Sequence, residues 1–257
     1  MTHPHLLVHT DGAVRTITLN NPDRRNAQTP SLWRALGEEA RSLPEEVRVV
    51  VIRGAGASFS AGIDVALFGP DGLPGEESVI DLARGSAAQI EAGIAAYQEG
   101  FVSWAAAPAI VIAEVHGHAI GGGFQLALAA DLRVVADDAQ LAMRETSHGI
   151  VPDLGGTKPL VELVGYSRAL EICGTGRIVT GEEAGRLGIA NLVAPAAELE
   201  ATTARLVEGL LAAPTAALRA LKPLLREAAD HAHAAQSARE RAAQVHLLKG
   251  LVAGFGG

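Results

Sequence analysis

The sequence lacks the features that mark several classes of protein. It has one cysteine, Cys173, which excludes a disulfide framework and a metal site built from cysteines. Its 21 basic residues are outnumbered by 29 acidic ones, and the formal net charge of −8 argues against the basic surface that nucleic-acid binding needs. The most apolar stretch, residues 100–130, is interrupted by Glu114, two histidines and a glycine triplet, so no membrane-spanning helix is predicted. The first residues, Met-Thr-His-Pro-His, do not resemble a secretory signal, and we expect a cytoplasmic protein.

The composition of the sequence indicates a chain that can bury a substantial hydrophobic core. The 257 residues are 48% hydrophobic and 19% charged, which suits one large domain, alone or with a small appendage. Aromatic residues make up only 4% of the chain, so we expect aliphatic side chains and backbone groups to line any ligand pocket. His231 and His233 lie two residues apart in a helical pattern and face different ways, so no metal site is predicted there.

The order of hydrophobic patterns along the chain predicts an α/β fold. A turn at Asp11-Gly12 separates the first two apolar runs, which indicates a hairpin, and Thr29 before Pro30 indicates a helix start. The predicted strands are 6–9, 14–19, 48–53, 109–115 and 132–136. The predicted helices are 30–42, 81–104, 121–130, 156–164, 166–174, 181–187, 196–212 and 214–249, with a flexible loop at 66–80. Strands that alternate with helices and are followed by helices alone indicate an α/β domain with a helical C-terminal part.

Two glycine-bearing turns, at residues 54–62 and 117–123, each follow a predicted strand and lead into a helix. The first begins Gly-Ala-Gly but has Phe59 where a dinucleotide-binding turn needs its third glycine, which argues against that class. The second contains Gly121, Gly122 and Gly123 at a helix start, where backbone N–H groups have no helical partner and no side chains shield them. Such a place suits a developing negative charge, although close helix–strand packing would also explain the glycines.

Four segments together resemble the enoyl-CoA hydratase/isomerase (crotonase) family, in its order and roughly its spacing. They are residues 21–27 (Asn-Pro-Asp-Arg-Arg-Asn-Ala), 58–64 (Ser-Phe-Ser-Ala-Gly-Ile-Asp), 112–131 (from Ile-Ala-Glu-Val-His-Gly to Leu-Ala-Ala-Asp) and 152–157 (Pro-Asp-Leu-Gly-Gly-Thr). The resemblance implies a crotonase-like β-β-α spiral core over residues 1–195. It also implies a C-terminal helical region over 196–257 that serves in trimer formation, and hence a homotrimer or a dimer of trimers. The implied substrates are acyl-CoA thioesters, with coenzyme A as part of the substrate and no separate cofactor.

The resemblance also assigns the groups that bind the thioester. Its oxyanion hole, the pair of N–H donors that stabilises a negative oxygen, maps onto the backbone of Ile63 and Gly122. Arg24 and Arg25 are the candidate cations for the coenzyme A phosphates, with Lys249 as a further candidate, although each arginine could equally be a solvated surface charge. The remaining candidate substrate-binding residues are Ala27, Ala61, Asp64 and Gly121.

The choice of reaction rests on three side chains. Hydratases of the family place two glutamates beside a water molecule; here the first position is Gln125 and the second is Glu145. An amide cannot accept a proton at neutral pH, which argues against efficient hydration by two glutamates. Asp153 lies eight residues after Glu145, where some isomerases of the family have an acidic residue, and two carboxyls could move a proton between carbons of the acyl chain. The catalytic candidates are therefore Glu145, Asp153 and Gln125, and the favoured reaction is a double-bond shift.

Each of these residues also has a structural interpretation. Asp153 could cap the helix that follows it, Glu145 could form a surface ion pair with Arg144, and Gln125 could bond only to backbone. Two other functions stay open at this point: slow hydration by Glu145, with Gln125 orienting the water, and binding of acyl-CoA without turnover.

Overall fold

The computed structural model describes residues 3–69 and 71–254. Met1, Thr2, Pro70 and residues 255–257 lie outside this range. Two residues of the N-terminal segment that lacks a secretory signal pattern therefore lie outside the described residues, as does one residue of the predicted loop at 66–80.

A six-stranded sheet forms the centre of the molecule. Its order is β1-β2-β3-β4-β6-β9, with an antiparallel first pair and parallel pairing thereafter. The strands are β1 (Leu6–Asp11), β2 (Val14–Leu19), β3 (Val49–Gly54), β4 (Ile110–Val115), β6 (Leu132–Ala136) and β9 (Leu192–Ala194). Strands β3 and β4 have the sequences VVVIRG and IVIAEV, whose β-branched side chains suit parallel strands covered on both faces. The hairpin and the central strands are confirmed.

A second, smaller sheet carries the site. It has the order β5-β7-β8, with β5 (His118–Ile120), β7 (Gln140–Ala142) and β8 (Val179–Thr180). Because β5 follows β4 and β7 follows β6, one strand of each pair enters the large sheet and the next enters the small one, in the β-β-α order that the resemblance implies. The pattern of residues did not predict these strands, since each has only two or three residues and no measurable alternation.

The helices cover the sheets and differ from prediction in two places. They are α1 (Pro30–Arg41), α2 (Val79–Ala83), α3 (Ala87–Ala106), α4 (Gly122–Ala129), α5 (Thr157–Val164), α6 (Tyr166–Thr175), α7 (Gly181–Arg186), α8 (Leu199–Ala212), α9 (Thr215–Arg226) and α10 (His233–Gly254). The predicted helix 81–104 is wrong as one element, because Ser86 caps α3 in a reciprocal bond pattern with Gln89 and so begins a new helix. The predicted helical stretch 214–249 is also divided, between α9 and α10, with a short 3-10 turn at Ala228–Asp230.

The C-terminal helices are fastened to the core by a buried lysine. Helix α8 packs against β6 and β9, and α9 returns to the base of the large sheet. There the Lys222 ammonium lies 2.7 Å from a carboxylate oxygen of Asp131 and donates to the Ala109 carbonyl at 2.8 Å. Burial lowers the pKa of Lys222, whereas the Asp131 charge raises it. No helix in the described part of the chain is long and apolar enough to cross a membrane.

Candidate active site

The two glycine-bearing turns lie side by side. The backbone of residues 59–60 runs along β5: the Phe59 N–H donates to the His116 carbonyl and the Ser60 N–H to the His118 carbonyl, both at 2.8 Å, and the Ile120 N–H donates back to the Ser60 carbonyl at 3.0 Å. This close approach leaves no room for a side chain where the turn faces the end of β5. Glycine meets that requirement at Gly62, where a Cβ atom would lie 2.3 Å from the Ile120 carbonyl oxygen and 3.2 Å from the nitrogen of Gly122.

Two backbone donors remain free where the turns meet. Within residues 3–69 and 71–254, no hydrogen bond is formed by the N–H of Ile63 or by the N–H of Gly122. Gly122 is the first residue of α4, so its N–H has no acceptor within the helix, and the helix end adds partial positive charge. The structure thus places two unpaired donors beside each other, at the two residues that the sequence prediction singled out.

Two buried polar side chains whose contacts the sequence prediction missed, Asn26 and Gln28, support these turns. Asn26, with φ of +55°, donates its amide to the carbonyls of Ala55 and Ser58. The Gln28 amide donates to the Ser60 hydroxyl at 3.0 Å, and the Gln28 backbone bonds on either side of Ile63, to Gly62 and Asp64, at 2.8 Å. The segment 26–28 therefore fixes the position of the Ile63 N–H. Residues 21–27 carried the resemblance, but nothing in their spacing indicated these contacts.

Glu145 occupies a buried position beside the glycine triplet. It begins a short 3-10 turn directly after β7, and a Cβ atom at Gly121 would lie 3.3 Å from its Oε1 atom. Oε2 is buried and has no hydrogen-bond partner among the described residues. Burial raises the pKa of this carboxyl and the nearby Asp153 charge raises it further, while a hydrogen bond from Gln125 lowers it. The surface ion pair with Arg144 is wrong: the Arg144 guanidinium donates instead to the Gly176 carbonyl.

Gln125 joins Glu145 to the loop that carries Asp153. Its amide nitrogen donates to Glu145 Oε1 at 2.7 Å, and its amide oxygen accepts from the N–H groups of Leu154 at 2.9 Å and Gly156 at 3.2 Å. Two backbone donors face this oxygen, which fixes the orientation of the amide. Gln125 thus bonds to backbone, as the structural interpretation held, and also to the candidate base.

Asp153 lies half-buried, close enough to Glu145 for its charge to raise the pKa of that carboxyl. Burial raises the pKa of its carboxyl, and its backbone carbonyl accepts from the Gln98 amide of α3 at 2.6 Å. The interpretation as a helix cap is wrong, because the cap of α5 is Gly156 and no side chain bonds to that helix start. The structure therefore brings together all three residues proposed for the chemistry.

The two arginines proposed to bind the coenzyme A phosphates differ in their surroundings. Arg24 forms an ion pair with Asp64 at 2.7 Å, and Asp64, 5% exposed, also accepts from the Ala66 N–H and so caps the turn Val65–Phe68. The Asp64 carboxylate thereby neutralises part of the positive charge that Arg24 could offer to a phosphate. Arg25 is exposed, and its carbonyl accepts from the N–H of Ala61 at 2.8 Å.

The other predicted binding residues surround this region. Ala27 is buried, Ala61 is partly exposed beside the free donors, and Gly121 adopts a φ of +52° against Glu145. Lys249 lies exposed on α10, far along the chain from the rest. Together the groups form a site that holds two free N–H donors and two carboxyls with raised pKa values. Such a site can stabilise a negative oxygen while protons move to and from adjacent carbons.

Comparison with known proteins gives a consistent result. A family model described as enoyl-CoA hydratase/isomerase matches residues 9–251. Carnitinyl-CoA dehydratase of Salmonella typhi is 34% identical over 233 residues, which cover 86% of this chain and 79% of that protein. The same name and identity hold for the protein of Salmonella typhimurium.

Solved structures resemble the whole chain. One from Thermobifida fusca YX, named as an enoyl-CoA hydratase and solved in complex with CoA, is 46% identical with a TM-score of 0.91, over 96% of this chain and 94% of that one. The complex named with acetoacetyl-CoA is 47% identical, also with a TM-score of 0.91, over 95% of each chain. DspI of Pseudomonas aeruginosa is 27% identical, with a TM-score of 0.85, over 96% of this chain and 90% of that one.

Proposed function

Because this chain belongs to the enoyl-CoA hydratase/isomerase family and acts on acyl-CoA thioesters, we propose that it shifts a carbon–carbon double bond within an enoyl-CoA. In this proposal Glu145 removes a proton from the carbon next to the thioester, and Asp153 returns a proton two carbons further along the chain. A 3-enoyl-CoA then becomes a conjugated 2-enoyl-CoA.

The two free N–H groups supply the stabilisation that proton removal requires. When the proton leaves, negative charge collects on the thioester oxygen, and the donors of Ile63 and Gly122 would bond to that oxygen as an oxyanion hole. Removing one donor of this kind typically costs about 2.7–4 kcal/mol of transition-state stabilisation. Because both donors belong to the backbone, the isoleucine side chain at 63 is free to narrow the pocket.

The raised pKa values suit the two carboxyls to opposite roles. Glu145 must be ionised to take the proton, and a base whose pKa lies closer to the working pH is a stronger one. Asp153 must be protonated to deliver its proton, and burial favours that form. After one turnover Glu145 holds a proton and Asp153 has lost one, so a proton exchange between them or with solvent resets the site.

The observation that carries the proposal is the bonding of Gln125. Both lone pairs of its amide oxygen face backbone donors, at Leu154 and Gly156, and its nitrogen faces Glu145. No acceptor on Gln125 remains to hold a water molecule against the substrate. A site with two carboxyls and no free acceptor on Gln125 for water favours proton movement over water addition.

Hydration or dehydration is the second candidate, and the names of the relatives favour it. The Salmonella proteins are named as dehydratases and the Thermobifida protein as a hydratase. Under this alternative Glu145 alone would activate water, without a second glutamate. Loss of one acid–base partner typically lowers rates by about 10²–10⁴-fold, so the reaction would be slow.

Two substrates distinguish the candidates. Purified protein is given a 3-enoyl-CoA and, separately, a 2-enoyl-CoA, and the absorbance of the conjugated thioester is followed. We expect the absorbance to appear from the 3-enoyl substrate and to require both Glu145 and Asp153, as tested with Glu145→Gln and Asp153→Asn. The exposed carboxyls Glu38 and Asp138 provide matched controls, Glu38→Gln and Asp138→Asn. Fast loss of absorbance from the 2-enoyl substrate alone would support hydration, and no change with either would contradict both candidates.

We further propose that the chain assembles as a homotrimer or a dimer of trimers through its C-terminal helices. Helix α10 exposes Val245, Leu248 and Leu251, and α9 exposes Leu221 and Leu225, an apolar surface that assembly would cover. Sedimentation equilibrium tests this directly, and a monomer would contradict it. Arg25, Ala27 and Ala61 remain the proposed contacts for the coenzyme A part of the substrate, beside the ion-paired Arg24.

A further inference from the structure

A second cavity lies outside the site formed by Glu145, Asp153 and the free donors. It measures about 570 Å³, opens to solvent on one side, and is lined by α3, the end of α4, α5 and the end of α9. That volume falls within the range typical of small-molecule pockets. Its walls are mainly apolar, from Phe101, Val102, Leu128 and Leu163, and the exposed Leu225 lies at its rim.

The cavity contains one deeply buried cation, Arg133. The residue is 4% exposed, and burial lowers the pKa of its guanidinium to about 10. Nε donates to the Ile189 carbonyl and Nη1 to the Ala130 carbonyl at 2.8 Å. Within residues 3–69 and 71–254, Nη2 has no hydrogen-bond acceptor and no carboxylate oxygen lies within 4 Å of the guanidinium. Asp131 acts on the guanidinium only from beyond 4 Å, where its charge raises the pKa of Arg133 against burial, so the open donor leaves a local demand for an anion.

The other charges around the cavity do not meet this demand. Asp131 is held by Lys222 and Arg226, and Glu162 is held by Lys158. The charged residues that line the cavity are Arg133, Lys158 and Arg226 against Asp131 and Glu162, three positive and two negative. The cavity is therefore locally positive in a chain whose formal net charge is −8.

We propose that this cavity binds a small amphipathic carboxylate, with the carboxylate on Arg133 and an alkyl chain against the apolar walls. A carboxylate matches a guanidinium donor in geometry and charge, and the aliphatic walls match an unbranched chain. A fatty acid anion of medium length has both features.

The cavity also touches the proposed catalytic site through one residue. The Leu154 side chain lines the cavity, and its Cδ1 lies 3.4 Å from where a Cβ atom of Gly122 would stand. The Leu154 N–H is held by Gln125, which contacts Glu145. An occupant of the cavity therefore sits against the wall of the catalytic site without entering it.

Calorimetric titration with octanoate and with 1-octanol tests the proposal on the intact protein. Both probes have the same chain, and only octanoate has the charge that Arg133 would recognise. We expect octanoate to bind roughly tenfold or more tightly than 1-octanol, since hydrogen bonds to charged groups contribute more than neutral ones. Saturation with acetoacetyl-CoA should not displace octanoate, because the two ligands would occupy opposite sides of Leu154.

Variants locate the probe. Ala105→Trp fills the cavity from its wall and should weaken octanoate binding by roughly tenfold or more, whereas Ala106→Trp, one residue along α3 and outside the cavity, should not. Arg133→Gln should remove the preference for octanoate over 1-octanol. If that variant does not fold, the pair of tryptophan variants still decides.

Three results would overturn the proposal. They are equal binding of the two probes or no binding at all, displacement of octanoate by acetoacetyl-CoA, and equal effects of the two tryptophan variants. Displacement would place octanoate in the proposed catalytic site, and the tryptophan result would place it elsewhere on the surface.

Discussion

Replacing Glu145 by glutamine should make the protein more stable at neutral pH while it abolishes the proposed reaction. Glu145 is buried, its Oε2 atom has no partner within the described residues, and burial raises the pKa of its carboxyl. The ionised form, which the proposed chemistry needs, is thus the form that the folded structure disfavours. Glutamine has the same shape and can still accept the Gln125 hydrogen bond, but it introduces no charge.

The size of the gain follows from the cost of a buried polar group without a partner, about 1–3 kcal/mol and more when the group is charged. We therefore expect Glu145→Gln to raise the free energy of unfolding at pH 7 by about 1–3 kcal/mol. In a chain of this length each kcal/mol shifts the melting temperature by roughly 2–4 °C, so the increase should be readily measurable. The rate of conversion of a 3-enoyl-CoA should fall by about 10²–10⁴-fold.

The pH dependence gives the sharper test. The pKa of Glu145 is higher in the folded protein than its unfolded value near 4.5, so the folded state holds this proton more tightly. Its stabilising effect is complete below the unfolded pKa and is lost as the pH rises toward the folded pKa. The wild type and Glu145→Gln should therefore have similar melting temperatures near pH 4 and diverge as the pH rises to 7.

Thermal unfolding followed by circular dichroism at several pH values measures this difference. Glu38→Gln serves as the control, because Glu38 is an exposed carboxyl on α1, and a surface change of this kind stays within about 0.5 kcal/mol. A Glu145→Gln protein that is no more stable than wild type at pH 7 would refute the reasoning. A gain that is equally large at pH 4 would refute it as well, since it could not then come from the buried charge.

Three further predictions concern other parts of the site. Asp153→Asn should lower the rate of 2-enoyl-CoA formation in steady-state assays by about 10²–10⁴-fold with an intact fold, and a full rate would remove this residue from the mechanism. Gln125→Leu leaves two backbone N–H groups buried without an acceptor, at about 1–3 kcal/mol each, which calorimetry can measure. Because it also removes the bond that lowers the pKa of Glu145, the acid limb of the pH–rate profile should move to higher pH; an unmoved limb would contradict this coupling. Gly62→Ala puts a methyl group 2.3 Å from a carbonyl oxygen and should abolish activity and lower the melting temperature. Its control is Gly165→Ala, which has a similar φ of +75° but open space around it and should cost only the backbone strain of about 1–2 kcal/mol. Equal effects of the two variants would show that the close approach is unimportant.

The parts of the fold that the sequence predicted are those with local causes. Thr29 and Pro30 begin α1 as predicted, since the Thr29 hydroxyl accepts from the Leu32 N–H, and the β-branched run at 110–115 forms a buried strand. The short strands β5 and β7 were not predicted, because they are stabilised by hydrogen bonds to residues far along the chain, such as those between β5 and Ser60. The division between α9 and α10 falls in the sequence Glu-Ala-Ala-Asp-His-Ala, which contains no glycine or proline to indicate it.

The sequence named residues that the structure groups at the candidate site, but it did not indicate the contacts between them. Glu145 and Asp153 could be named because the family resemblance assigns acidic side chains to these two positions. The contact from Gln125 to Leu154 could not, because it joins residues 29 positions apart through a backbone N–H that has no sequence signal. The ion pair between Arg24 and Asp64 could not be predicted either, because the two residues are 40 positions apart and meet only in the folded chain. Arg24, predicted to bind phosphate, therefore also contacts the residue that caps the turn Val65–Phe68.

The buried contact of Lys222 has a consequence for how the molecule opens. If α9 detached, Asp131 would lose its principal counter-ion, and the carbonyl of Ala109, just before the central strand β4, would lose a donor. Detachment of α9 would thus leave unpaired charge inside the core. We therefore expect α9 and the large sheet to unfold as one cooperative unit. The amide hydrogens of α9 should then exchange with solvent almost as slowly as those of the central strands, although α9 lies late in the sequence and on the outside of the sheet. A chain emerging from the ribosome cannot complete its core until this lysine has been made.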